Sequence, residues 1–144
     1  MTRYLADSSI WAWAHGDQRP DIREKLASRF EAGELVACVP VVLEVMHRAR
    51  SGAAYDEIHA GLFGPLEVLP LSAGSGERAA LVQRELAHGP HGNHLRPAVD
   101  YLIAAIAEEA DPGVTLWFFD RDLRVICEHT GQSFEAEESS GPGR

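Results

Sequence analysis

Four acidic side chains stand where burial would ordinarily exclude them. Asp7 and Asp120 each follow directly on a short apolar run, Tyr4-Leu-Ala6 and Thr115-Leu-Trp-Phe-Phe119. Glu44 interrupts Val41-Val-Leu-Glu-Val-Met46, and Asp100 interrupts Ala98-Val-Asp-Tyr-Leu-Ile-Ala-Ala-Ile106. A carboxylate on an apolar segment is costly to bury unless it has a partner. Four of them converging would repel one another, and a divalent cation resolves that conflict. Hard oxygen donors suit Mg²⁺, with Mn²⁺ able to substitute. The chemistry this points to is metal-assisted hydrolysis, in which the carboxylates hold the ion and the ion activates a water.

Taken singly, each acid has a plainer explanation. Asp7 and the Asp120-Arg-Asp122 turn can cap helices, and Glu44 can face solvent. Asp100 is harder to dismiss, because Val99, Leu102 and Ile103 leave it a narrow polar window. The weight lies in the set, with Asp122 as a supporting metal ligand. His94 and Arg96, just ahead of the Asp100 segment, are candidate contacts to a phosphate, since arginine grips phosphate with a bidentate fork. His88, His91 and His94 lie in a Gly/Pro loop without a fourth ligand, so a solvated loop is expected there and not a zinc site. Trp11 and Trp13 have rings that can stack on bases, and core or dimer packing is the first expectation for them.

The elements that must position these groups alternate. Strands are expected at Tyr4-Leu-Ala6, Leu35-Val-Ala-Cys-Val39, Leu66-Glu-Val-Leu69 and Thr115 to Phe119. Helices are expected after Asp7, from Pro20 to about Ala32, from Pro40 through Arg50, from Ala53 to Phe63, from Gly76 to His88, from Pro97 to Ala110 and from about Asp122 to His129. Alternation of this kind gives an α/β fold with a mostly parallel sheet, whose ligand crevice lies at the carboxyl ends of the strands.

The chain has 144 residues, 45% of them hydrophobic and 24% charged, which fits one globular domain. The formal net charge is -9, which argues against nucleic-acid binding by a broad basic face. It is compatible with an enzyme that concentrates carboxylates to hold cations. Cys38 and Cys127 sit in apolar stretches and read as buried thiols. No apolar run approaches the ~20 residues of a membrane span, and the start carries no charged region followed by an apolar one. A cytoplasmic protein without a membrane partner is expected. The polar, acidic end from Glu137 to Arg144 is expected to be a disordered tail, leaving 1–136 as the domain.

These residues resemble a known family. Leu5-Ala-Asp-Ser-Ser-Ile10, Val41-Val-Leu-Glu-Val-Met46, His94-Leu-Arg-Pro-Ala-Val-Asp-Tyr-Leu-Ile-Ala-Ala-Ile-Ala107 and Phe119-Asp-Arg-Asp-Leu123 are similar to the acidic segments of PIN-domain ribonucleases, most of all the VapC-type toxins of bacterial toxin–antitoxin pairs. The likeness spans nearly the whole chain. It implies a PIN-like parallel sheet of about five strands in the order 3-2-1-4-5, flanked by helices. The final strand would fall near Ser133-Phe-Glu-Ala136, a weakly β-forming stretch. It also implies Mg²⁺-dependent endoribonuclease activity, with Asp7, Glu44, Asp100 and Asp120 as catalytic and metal-holding acids and Ser9 supporting them. A structured RNA such as transfer or ribosomal RNA would be the substrate, a VapB-type antitoxin the inhibitor, and a homodimer the assembly. Two alternatives stay open on sequence: a PIN-like module that binds RNA or protein without catalysis, and a haloacid-dehalogenase-like phosphatase using Asp120 and Asp122.

Overall fold

The computed structural model describes residues 1–119 and 121–139. Five strands, β1 (Tyr4–Ala6), β2 (Leu35–Cys38), β3 (Val68–Leu69), β4 (Thr115–Phe118) and β5 (Phe134–Ala136), form one sheet in the order β3-β2-β1-β4-β5. Every pairing is parallel. The helices are α1 (Ser8–His15), α2 (Pro20–Glu31), α3 (Val39–Met46), α4 (Gly52–Leu62), α5 (Ala73–Ala87), α6 (Ala98–Glu109) and α7 (Arg121–Thr130). The class, the sheet order and the number of strands match the expectation.

Parallel strands need crossover helices, which cover both faces of a sheet and favour unbroken apolar strands. β2 is accordingly buried at all four positions, and Leu116, Trp117 and Phe118 of β4 are fully enclosed. β1 is central: Tyr4 pairs with Leu35 on one side and Thr115 on the other. Asp7 is therefore delivered to the middle of the sheet's carboxyl edge, and Phe119 follows β4 at the neighbouring place on that edge. Cys38 and Cys127 are both buried free thiols, and burial pushes each up to about 12.

Several boundaries differ from the sequence expectation, each for a local reason. β3 is confined to Val68–Leu69, because Leu66 is spent in a turn on Phe63, whose carbonyl accepts its N–H at 3.0 Å. α3 stops at Met46 rather than Arg50, where Ala49 N–H turns back onto the Met46 carbonyl at 3.1 Å. α5 begins at Ala73, ahead of the expected Gly76. There Ser72 and Ser75 form a reciprocal capping box that outweighs two glycines in the first turn.

The stretch expected as a tail begins at Glu137, which is bonded to the sheet. Glu137 N–H donates to Phe118 O at 2.8 Å, and its carboxylate accepts from Trp117 Nε1 at 3.0 Å and from Lys25. Arg19 Nη1 donates to the Glu138 carbonyl at 2.7 Å. Glu137 is polar, but it supplies the acceptor that a buried indole N–H needs. Residues 140–144 of the expected tail lie outside the described residues.

Candidate active site

Asp7 is the N-cap of α1 and is 3% exposed. Its Oδ2 accepts from Ser9 Oγ at 2.8 Å and from Ser9 N at 3.3 Å. The same Ser9 hydroxyl accepts from the N–H of Phe119 at 3.2 Å. Ser9 thus ties the end of β1 to the end of β4, just before position 120. Asp120 itself lies outside the described residues.

Asp100 sits in the first turn of α6 and is 4% exposed. Asp7 and Asp100 therefore share an electrostatic setting. Each stands at the N-terminal end of a helix, where unsatisfied N–H groups and the helix dipole favour a negative charge. That setting offsets part of the cost of holding a carboxylate away from water. Glu44 is different: it lies on the exposed side of α3, and Ser8 Oγ donates to its Oε1 at 3.2 Å. Both hydroxyls of Asp7-Ser8-Ser9 thus serve a carboxylate, one on each side of the chain.

Asp7, Ser9, Glu44 and Asp100 line one cleft of about 820 Å³. Its walls away from the acids are largely apolar, with Leu26, Phe30, Met46, Ile58 and Leu62 among them. Arg23 and Arg48 also border it, and neither stands out from the sequence as a site residue. Ser8 was equally hidden, although the hydroxyl pair after Asp7 is the pattern that marks it.

Other expected site residues fall elsewhere. Arg96 Nη1 donates to Asp122 Oδ1 at 2.6 Å, and neither residue lines the cleft. The pair joins the loop ahead of α6 to the start of α7. His94 is bonded into the same loop, where its carbonyl accepts from Tyr101 Oη at 2.7 Å.

The donors fit a hard divalent cation in kind. They are carboxylate oxygens, two of them buried, opening on a cleft wide enough for water and substrate oxygens. Among the described residues no group of three or more histidine, cysteine or acidic side chains is placed to hold a metal by itself. Mg²⁺ makes no such demand, since it is commonly held by one or two carboxylates, with water and phosphate oxygens completing its octahedron.

No family model matches the chain. Ribonuclease VapC18 from Mycobacterium tuberculosis is 34% identical to it over 134 residues, 92% of this chain and 93% of that protein. The chain belongs to the VapC ribonuclease family. Solved structures of VapC-type proteins share its fold. DNA-bound VapBC from Salmonella typhimurium aligns with a TM-score of 0.71 at 18% identity, covering 94% of this chain and 98% of that one. Mycobacterium tuberculosis VapC20, described as a sarcin-ricin loop cleaving toxin, aligns with a TM-score of 0.59 at 19% identity, covering 85% and 93%. The five-stranded sheet in 3-2-1-4-5 order is thus the PIN-domain sheet of VapC proteins. Membership in this family sets the phosphatase alternative aside. Among the described residues no helix is long and apolar enough to cross a membrane.

Proposed function

We propose that this VapC-family ribonuclease is a Mg²⁺-dependent endoribonuclease, with Asp7, Glu44, Asp100 and Asp120 as its catalytic acids. The observation that carries this reading is the burial of Asp7 and Asp100 at two helix N-termini on one cleft. A catalytically silent module has no use for two buried carboxylates turned to the same opening.

Asp7, Asp100 and Asp120 would hold the ion, with Mn²⁺ able to replace Mg²⁺. Bound there, the ion would acidify a water and offset the charge that builds on the phosphate. Ser9 holds Asp7 Oδ2 and so fixes the orientation of the carboxylate. Glu44, exposed and steadied by Ser8, is the acid best placed to take a proton from the attacking water. Asp122, bonded to Arg96, serves as a strut between two acid-bearing segments rather than as a ligand.

The substrate we propose is a structured RNA, transfer or ribosomal, cut where its bases are unpaired. The partner is a VapB-type antitoxin, and the assembly a homodimer. The apolar cleft walls suit an amphipathic antitoxin segment that sends a basic side chain towards the acids. The solved VapBC complex supports an antitoxin partner.

The test is expression of the chain alone in bacteria. Growth should arrest, Asp100→Asn should relieve the arrest, and co-expression of a small antitoxin encoded beside it should do the same. Unimpaired growth at high expression of wild type contradicts the toxin reading.

A further inference from the structure

The core face of α1 is Ile10, Trp11 and Ala14. Trp13 lies off that face and is half-buried, yet its ring does not hang in solvent. It meets the ring of Phe119 with centroids 5.4 Å apart and planes inclined at 34°. Phe119 is held firmly from two sides. Its N–H bonds to the Ser9 hydroxyl that also holds Asp7. Its ring lies 5.3 Å from the guanidinium of Arg19. Arg19 in turn is locked by two bonds of 2.9 Å to Asp21 and one of 2.7 Å to the Glu138 carbonyl. A hydrogen-bonded chain, Asp7–Ser9–Phe119, therefore fixes an aromatic pair relative to the buried carboxylate.

We propose that Trp13, backed by Phe119, is a stacking subsite for an unpaired nucleobase next to the cleaved phosphate. This rests on the ribonuclease reading of the cleft. A hollow of about 290 Å³ opens beside Trp13, bordered by Ala12, Gly16, Asp17 and Gln18. Ala12 borders both this hollow and the acidic cleft. Trp13 lies six positions beyond Asp7 along α1, about 9 Å along the axis. That places the ring within reach of a base whose own or adjoining phosphate lies at the carboxylates.

Charge argues in the same direction. Single-stranded RNA is usually held by cations along its backbone. A chain of net charge -9 has few to offer, and the two arginines of this region are engaged, Arg19 with Asp21 and the Glu138 carbonyl and Arg23 with Ala14 O, Gly16 O and Asp17. Stacking needs no charge, and every base has a face to offer.

The experiment uses an Asp100→Asn background to prevent cleavage and a short fluorescent single-stranded RNA that wild type cleaves. The same RNA is also made with an abasic nucleotide at each position in turn. Trp13→Ala should raise Kd by about tenfold or more, the usual effect of losing one base–aromatic stack. Trp13→Phe should restore most of the affinity. One abasic position should cost the Trp13 protein the same factor and cost Trp13→Ala nothing further. If Trp13→Ala melts too low to assay, intrinsic fluorescence gives a second readout. Trp117 is enclosed but Trp11 borders the acidic cleft, so the quenching is read in a Trp11→Phe background, where it should come from Trp13 and vanish with that same abasic position.

Equal RNA affinity of Trp13→Ala and its parent, or quenching indifferent to every abasic position, overturns the proposal. If the Trp13→Ala variant keeps its RNA affinity and instead escapes the antitoxin, the ring belongs to a protein interface. A wild-type protein that neither binds nor cleaves RNA brings down the nuclease reading and the subsite with it. A cleaving wild type with an indifferent Trp13 brings down the subsite alone.

Discussion

The Arg96 guanidinium donates to the Asp122 carboxylate across 2.6 Å, joining the loop that leads to Asp100 with the helix that begins after Asp120. Both residues are partly enclosed, with side chains 20% and 31% exposed. The pair should couple by about 1 kcal/mol in a double-mutant cycle of Arg96→Met and Asp122→Asn, the upper range for pairs near the surface. Asp122→Asn should retain the full thermal stabilisation that wild type gains from Mg²⁺. Loss of that gain would make Asp122 a metal ligand.

Glu137 closes the far edge of the sheet. Its carboxylate accepts from the buried Trp117 Nε1, and its N–H extends the β4–β5 ladder. Truncation after Ala136 should therefore lower the melting temperature by several degrees, since an orphaned buried donor costs about 1–3 kcal/mol. Truncation after Ser139 should leave it in place. Equal melting of the two truncated forms would show that Glu137 contributes nothing.

Glu135 gives the fold an acid limit. Arg29 Nη2 donates to its Oε1 at 2.9 Å, and Lys25 lies nearby, so the arginine hydrogen bond holds this carboxyl below the usual range. A carboxyl whose folded pKa is depressed adds stability above its unfolded value, near ~4.3. It loses that contribution as pH falls through the folded value. Glu135→Gln should melt below wild type at neutral pH, and the two curves should converge in acid. Melting temperatures recorded against pH check this, and a constant gap would contradict it.

Asp100 tests the acidic cleft without any RNA. Carboxylates facing one opening repel each other when no cation is present, a penalty that Asp100→Asn relieves. In EDTA at neutral pH that variant should be more stable by on the order of 1 kcal/mol, the usual gain from relaxing a strained functional site. Mg²⁺ binds the folded site and should stabilise wild type far more than the variant. Calorimetric melting with and without Mg²⁺ decides it. A less stable variant that gains as much from Mg²⁺ as wild type would make Asp100 a structural residue.

Asp7 and Asp100 were legible because each breaks an apolar run at a place where a helix begins. Glu44 was legible because it breaks the apolar run of α3. The order of the strands was not readable from patterning; it came with the resemblance that the Asp-Tyr-Leu-Ile-Ala-Ala run carries. Phe134-Glu-Ala136 is too short and too charged to look like a strand. It forms because the edge of β4 offers it a partner, and because Arg29 and Lys25 neutralise Glu135. Arg96 and Asp122 each looked like a site group, since nothing in a linear sequence shows that residues 26 positions apart bond to one another. The seat of Glu137 was hidden likewise, because the buried donor it serves belongs to another strand.

The most direct measurement of the central claim is RNA cleavage by purified protein with EDTA, Mg²⁺ or Mn²⁺, set beside Asp7→Asn, Glu44→Gln, Asp100→Asn and Asp120→Asn. Wild type should be inactive in EDTA and restored by either ion. Each variant should fall by roughly a hundredfold or more while keeping its fold by circular dichroism, the scale of loss when one electrostatic group of a transition state is removed. Undiminished cleavage in EDTA, or by the Asp7→Asn and Asp100→Asn proteins, would contradict the account.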